Sequence, residues 1–143
     1  MPYHYLEDIG TADIAFEATG RNLTELFRDA ADATVNVMID NLEAIQPRDA
    51  REIKLSNNQI DMLLFDLLQE LIYFKDAELL LLRIGAMEID EQDGTYFLKA
   101  QAAGERLDPE RHHQRADVKA VTLHGFSVEK EKGRWKARVL LDI

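Results

Sequence analysis

Apolar residues recur along residues 23–38 with the three- and four-residue spacing of an amphipathic helix. The stripe comprises Leu23, Leu26, Phe27, Ala30, Ala31, Thr34, Val35 and Met38. Residues 22–25 form a capping-box pattern, in which Asn22 accepts a hydrogen bond from a first-turn amide and Glu25 reaches back to Asn22. The pattern predicts a first helix that starts after Asn22 and ends near Ile39 or Asp40.

A second apolar stripe predicts another helix in the middle of the chain, after Ser56, Asn57 and Asn58 as possible caps. Its members are Ile60, Leu63, Leu64, Leu67, Leu68, Leu71 and Ile72. The run 79–82 that follows is wholly apolar. It is compatible either with a buried strand or with one more turn of the helix.

The remaining patterned segments are typical of strands, because they alternate in polarity or are rich in β-branched and aromatic residues. These segments are residues 14–19, 51–55, 87–89, 95–98, 118–128 and 134–143. Asp93-Gly94 favours a tight hairpin turn, and Lys132-Gly133 joins the last two segments. Two helices among six or seven strands predict a single α+β domain over residues 1–143, with both helices packed on a mostly antiparallel sheet.

Composition excludes several classes of protein. The chain has 143 residues, no cysteine, and 27 acidic against 17 basic residues, for a formal net charge of −10. It therefore lacks disulfides and thiolate metal sites. We find no run of ~20 apolar residues and no cationic leader, so we expect a cytoplasmic protein that does not enter membranes. The acidic balance argues against direct nucleic-acid binding. The excess of acidic residues favours cations or a basic protein surface as partners. Alternatively, it serves only to keep the protein soluble.

Standard catalytic signatures are missing, including the phosphate loop, the dinucleotide glycine fingerprint, the nucleophile elbow and the zinc-protease helix. The sequence therefore does not predict a conventional enzyme. His112 and His113 are adjacent in a polar segment, and we expect both to be solvated loop residues. His124 falls within a predicted strand, where a packed or hydrogen-bonded imidazole is more common than a metal ligand.

Carboxylates near the two chain ends are the more informative candidates. Asp13 directly precedes the first strand, and Asp142 is followed by Ile143. If the ends meet, Asp13, Asp142 and the terminal carboxylate of Ile143 would form an oxygen site suited to calcium or magnesium. The alternative is three solvated charges. Glu70 fits an exposed helix charge, and Lys119 fits an outward strand lysine or the partner of an acidic site.

Five segments, in order along the chain, carry a family resemblance: residues 11–14, 23–38, 70–73 with Asp76, 118–122 and 139–143. They resemble the N-terminal signature, first helix, second-helix block, pre-hairpin block and Asp-Ile terminus of the archease family. Gly10 stands where that family usually has histidine, Leu67 where tryptophan is frequent, and Leu123 where tyrosine is common. Without that histidine to support Asp13, the resemblance implies a weaker metal affinity than in typical members.

The resemblance implies a layered β/β/α sandwich and an accessory role rather than an enzymatic one. Archeases assist the RtcB-type RNA ligase of tRNA splicing or RNA repair by promoting its guanylylation and multiple turnover. By the same resemblance, Asp13, Asp142 and Ile143 would bind calcium or magnesium, while Glu70 and Lys119 would contact the ligase. Two alternatives remain open, a chaperone or specificity modulator of a tRNA methyltransferase and a metal-dependent hydrolase.

Overall fold

A computed structural model describes residues 3–6 and 13–143, and within them two helices and a short 3₁₀ turn lie among seven strands. The strands are β1 (Tyr3–Leu6), β2 (Asp13–Gly20), β3 (Asp49–Asn57), β4 (Leu80–Gln92), β5 (Thr95–Arg106), β6 (Ala120–Glu131) and β7 (Arg134–Asp142). The helices are α1 (Leu23–Met38) and α2 (Ile60–Glu78), and the 3₁₀ turn is Leu42–Ala44. The α+β class is therefore confirmed, although β1 had no counterpart among the predicted strands.

The strands form two antiparallel sheets. One has four strands in the order β1-β2-β7-β6, and the other has three in the order β3-β5-β4. Both predicted hairpins are present. Asp93 and Gly94 have φ angles of 52° and 81°, and Lys132 and Gly133 have 52° and 78°. Two successive positive φ angles match the twist of the flanking strands, so these dipeptides set the register of both hairpins.

The predicted bounds of α1 are confirmed, but its capping box is only half formed. Asn22 Oδ1 accepts from the Glu25 amide at 2.9 Å. The Glu25 carboxylate accepts from the amide of Arg21 at 3.1 Å, so the prediction that it reaches back to Asn22 is wrong. The expected caps of α2 are also wrong, because its N-cap is Gln59, which makes no side-chain capping bond.

Leu79 separates α2 from β4 and decides between the two interpretations of residues 79–82. Its φ of 53° lies in the left-handed region, and its amide donates to the carbonyl of Phe74. A left-handed residue ends a helix, because the following residues can no longer continue its hydrogen-bond ladder. β4 therefore starts at Leu80, and the apolar run 80–82 is a buried strand.

The two predicted apolar stripes meet in one core. α1 and α2 each contact strands of both sheets, and Phe27, Leu64 and Leu67 are fully buried there. Each such side chain contributes about 1.5–3 kcal/mol relative to an exposed one, so these contacts hold the helices and both sheets together. In the described part of the chain, neither helix is long and apolar enough to span a membrane.

Candidate functional site

The first residue of β2 lies directly opposite the last residue of β7. Asp13 and Asp142 are register partners in this antiparallel pair, and both are partly exposed. Opposite residues of an antiparallel pair project from the same face of the sheet, with Cβ atoms about 5 Å apart. The pairing therefore brings two carboxylate side chains together at one corner of the four-stranded sheet.

Lys119 lies at the same corner. Its amide donates to the main-chain carbonyl of Asp142 at 2.8 Å, and the next residue, Ala120, is the register partner of Asp142 in β6. The predicted strand was to begin at Val118, but β6 begins at Ala120, so Lys119 precedes the strand with an exposed side chain. The main chain of Lys119 is thus joined to Asp142, whereas within the described residues its exposed side chain makes no ion pair with Asp13 or Asp142.

This corner can supply oxygen ligands to a hard cation. Asp13 and Asp142 each offer a carboxylate, and Ile143, which directly follows Asp142, offers main-chain oxygens. Calcium and magnesium prefer such ligands. Among residues 3–6 and 13–143, no three His, Cys, Asp or Glu side chains form a metal-binding group. The main-chain oxygens of Ile143 are therefore the candidate third ligand among the described residues, and cation binding stays a prediction.

A buried lysine holds the segment that leads to Lys119. The side chain of Lys75 is 8% exposed, and its Nζ donates to Asp117 at 2.5 Å and to the carbonyl of Val118 at 2.8 Å. Asp76 accepts a third bond at 2.5 Å. Burial alone would lower the pKa of Lys75, but the hydrogen bonds to Asp117 and Asp76 outweigh it and raise that pKa. The charged ammonium therefore fixes the main chain one residue before Lys119.

Lys75 was not among the residues predicted to matter, although the sequence carries a signal for it. It continues the apolar stripe of α2, four residues after Leu71 and three after Ile72. A lysine at such a position must bury its ammonium, and a buried ammonium needs acceptors. Which acceptors it finds depends on the path of residues 117–118, which spacing does not reveal.

Glu70 is less closely tied to this corner. It is partly buried on α2, and within the described part of the chain its carboxylate makes no hydrogen bond or ion pair. Its neighbour Gln69 accepts from the amide of Val121 at 2.8 Å, which docks α2 on the start of β6. Glu70 therefore lies on the helix that supports β6, without a contact to Asp13 or Asp142.

The expectation for His112 is wrong. Its side chain is fully buried, and Nε2 lies 3.0 Å from the buried carboxylate of Glu105. Glu105 also pairs with Arg111 and accepts from the Gln46 amide at 2.9 Å. Burial would raise the pKa of Glu105, but the hydrogen bonds from Gln46, His112 and Arg111 lower it to about 2. The imidazole Nδ1 accepts from the Asp108 amide at 2.8 Å, so His112 joins the Glu105–Arg111 ion pair through a hydrogen bond and closes the loop after β5.

His113 and His124, the other two histidines considered as candidates, are exposed. His113 is exposed as expected, although its Nδ1 lies 2.7 Å from Asp40. His124 is also exposed, and it lies where the β6–β7 register shifts between Thr122 and Ser127. Within the described residues its imidazole also makes no hydrogen bond, so the expectation of a packed or hydrogen-bonded imidazole is wrong. Gly10 and residues 11–12 of the N-terminal signature lie outside the described residues.

Comparison with known proteins decides the family. The model of the Archease protein family matches residues 3–143. The chain belongs to the archease family. A protein archease of Methanosarcina mazei is 42% identical over 142 residues, covering 99% of this chain and 95% of the relative. One from Pyrococcus abyssi is 37% identical over 134 residues, covering 93% and 94% of the two chains.

Solved structures agree with the archease fold described above. The solution structure of protein 1598 of Methanobacterium thermoautotrophicum is 34% identical, with a TM-score of 0.85 and 99% of each chain covered. The crystal structure of an archease, possible chaperone, from Thermotoga maritima is 20% identical, with a TM-score of 0.66 and 98% of each chain covered. The second likeness concerns the fold alone. Together they support the two-sheet, two-helix arrangement that places Asp13 opposite Asp142.

Proposed function

We propose that this member of the archease family acts in the cytoplasm as a non-catalytic activator of an RtcB-type RNA ligase. In this role it promotes guanylylation of the ligase and restores it for repeated turnover in tRNA splicing or RNA repair. Family membership supports the accessory role. The observation that carries the proposal is the pairing of Asp13 with Asp142.

Two like charges directly opposite each other destabilise a strand pair. The pairing of Asp13 with Asp142 at the end of two strands therefore has a cost that a bound cation would offset. We propose that Asp13, Asp142 and the main-chain carboxylate of Ile143 bind calcium or magnesium. When bound, the cation would supply positive charge between the carboxylates and hold the ends of β2 and β7 in one geometry.

Charge and exposure indicate how the protein would meet its ligase. The net charge of −10 favours a basic protein surface as partner and disfavours direct contact with an RNA backbone. Lys119, whose amide bonds to the main chain of Asp142, has an exposed side chain, and Glu70 is partly exposed on α2. We propose that these two residues contact the ligase while the ligase alone binds the RNA and GTP.

A ligation time course tests the activation directly. The ligase is supplied in limiting amount with excess broken RNA, GTP and divalent metal, with and without the activator. We expect several ligations per ligase molecule only when the activator is present, and no ligation by the activator alone. Equal turnover with and without the activator would contradict the proposal. Co-purification with a tRNA methyltransferase in place of a ligase would also contradict it.

Variants connect that activity to the proposed site. Asp13→Asn and Asp142→Asn each remove one ligand charge at nearly constant volume, so we expect each to lower the stimulation at least about tenfold. Asp93→Asn is the matched control. It makes the same change at an exposed hairpin turn whose φ of 52° asparagine also adopts. Full stimulation by either site variant would exclude the shared cation site.

A further inference from the structure

A second concave site lies beside the corner that contains Lys119. It is a cavity of about 290 Å³ between the C-terminal ends of α1 and α2 and the segment that precedes β6. Its wall is mostly apolar and includes Met38, Ile39, Leu79, Leu81, Leu107 and Ala116. Asp76 and Asp117 stand on its rim with side chains 55% and 72% exposed. The cavity thus combines an apolar wall with an acidic mouth.

The charge at this mouth is negative despite the buried lysine. Lys75 has three N–H donors, and Asp76, Asp117 and the carbonyl of Val118 accept them. No donor of the ammonium is left for an anionic ligand. Two aspartates around one ammonium leave one uncompensated negative charge, and both carboxylates face solvent over much of their surface. The site is therefore built for a cation.

Leu79 indicates that the apolar wall has a use beyond folding. It has a positive φ of 53°, which leucine rarely adopts and glycine adopts freely, and its side chain is 43% exposed. It does not belong to the buried core. A strained, exposed leucine at a helix end contributes little to the fold, whereas its side chain extends the wall of the cavity.

We infer that this cavity binds an arginine side chain of a basic partner protein. The apolar wall fits the aliphatic stem, and the two rim carboxylates fit the planar guanidinium. Their bonded oxygens each lie 2.5 Å from the same lysine nitrogen and so are no more than twice that distance apart. A guanidinium can donate to both at once, which a compact ammonium does less well. The inference does not depend on the partner being a ligase.

The test uses n-butylguanidinium as a probe of the intact protein at low ionic strength, followed by methyl NMR. We expect saturable shifts confined to the methyl groups of Met38, Leu79, Leu81 and Leu107. Guanidinium alone lacks the stem and should bind at least about tenfold more weakly. Butylammonium should also bind more weakly than butylguanidinium. Absent or scattered shifts, or an affinity for butylguanidinium no higher than that for guanidinium or for butylammonium, would overturn the inference.

Two variants separate binding from folding. Leu79→Gly relieves the positive φ, so its melting temperature should not fall, yet it should lose most of the affinity for butylguanidinium. Asp117→Asn removes one rim charge and should weaken binding about fivefold, whereas Asp93→Asn should leave it unchanged. Unchanged affinity in both Leu79→Gly and Asp117→Asn would show that the probe binds elsewhere and would overturn the inference.

Discussion

Replacing Lys75 by methionine isolates the role of the buried ammonium. Methionine has a similar length and retains the apolar stem of the lysine within the stripe of α2. The substitution removes the three hydrogen bonds to Asp76, Asp117 and the carbonyl of Val118. The main chain leading to Lys119 would then lose its attachment to α2.

The three lost hydrogen bonds contribute unequally to the free energy of unfolding. The hydrogen bond to the Val118 carbonyl is buried, and an orphaned buried acceptor costs about 1–3 kcal/mol. Asp76 and Asp117 are more than half exposed, so water replaces the ammonium there and each pair adds only ~0–1 kcal/mol. We therefore expect Lys75→Met to lower the free energy of unfolding by about 2 kcal/mol, or the melting temperature by roughly 6 °C.

Urea unfolding at pH 7 measures this change. The pKa of Lys75 is raised in the folded state, so its stabilisation is complete below the unfolded value of 10.5 and is lost only as the pH rises through the folded value. Lys99→Met is the matched control, since the side chain of Lys99 is 55% exposed and its nearest carboxylate is 4.0 Å away. If Lys75→Met loses no more stability than Lys99→Met, the buried ammonium does not hold residues 117–118 to α2.

Two further predictions concern the three-stranded sheet and its ionic cluster. A Cβ on Gly104 would lie 1.7 Å from the main-chain oxygen of Leu81, so Gly104→Ala should cost about 3 kcal/mol or more in urea unfolding. Gly85→Ala should destabilise the protein clearly less, because the nearest atom to its added Cβ would be the main-chain oxygen of Gln101 at 3.2 Å. A larger loss of stability in Gly85→Ala than in Gly104→Ala would contradict this prediction. Because the pKa of Glu105 falls from 4.5 to about 2 on folding, its stabilisation is complete above pH 4.5 and is lost as the pH falls toward 2. In Glu105→Gln, less stability should be lost as the pH falls from 4.5 toward 2. If the variant loses as much stability over this range as the wild type, the lowered pKa of Glu105 is contradicted.

Local signals in the sequence were sufficient to predict the two helices, from the periodicity of their apolar residues, and the hairpins, from their turn residues. The apolar stripes predicted both α1 and α2, because the three- and four-residue spacing of the apolar residues places them on the side of each helix that faces the core. Asp93-Gly94 predicted a hairpin because few other dipeptides adopt two positive φ angles. The resemblance to the archease family rested on short segments spread over the chain, and the family match over residues 3–143 confirmed it.

Features that depend on distant partners were not predictable in the same way. His112 lies in a polar segment, and its burial follows from its hydrogen bond to Glu105, which also forms an ion pair with Arg111. Spacing likewise could not give Asp117 and Val118, the two partners of Lys75 that come from a loop some forty residues further on. The pairing of Asp13 with Asp142 required the register of β2 and β7, which the sequence suggested only by placing an aspartate near each end.

Calorimetric titration of calcium or magnesium into the protein is the decisive experiment for the proposed cation site. We expect one saturable cation site per chain in the wild type and in Asp93→Asn. Asp142→Asn should bind at least about tenfold more weakly, and without metal its melting temperature should equal or exceed that of the wild type, because one of two facing charges is removed. Equal cation affinity in Asp142→Asn and the wild type, or no saturable binding to the wild type, would contradict a site built on Asp13 and Asp142.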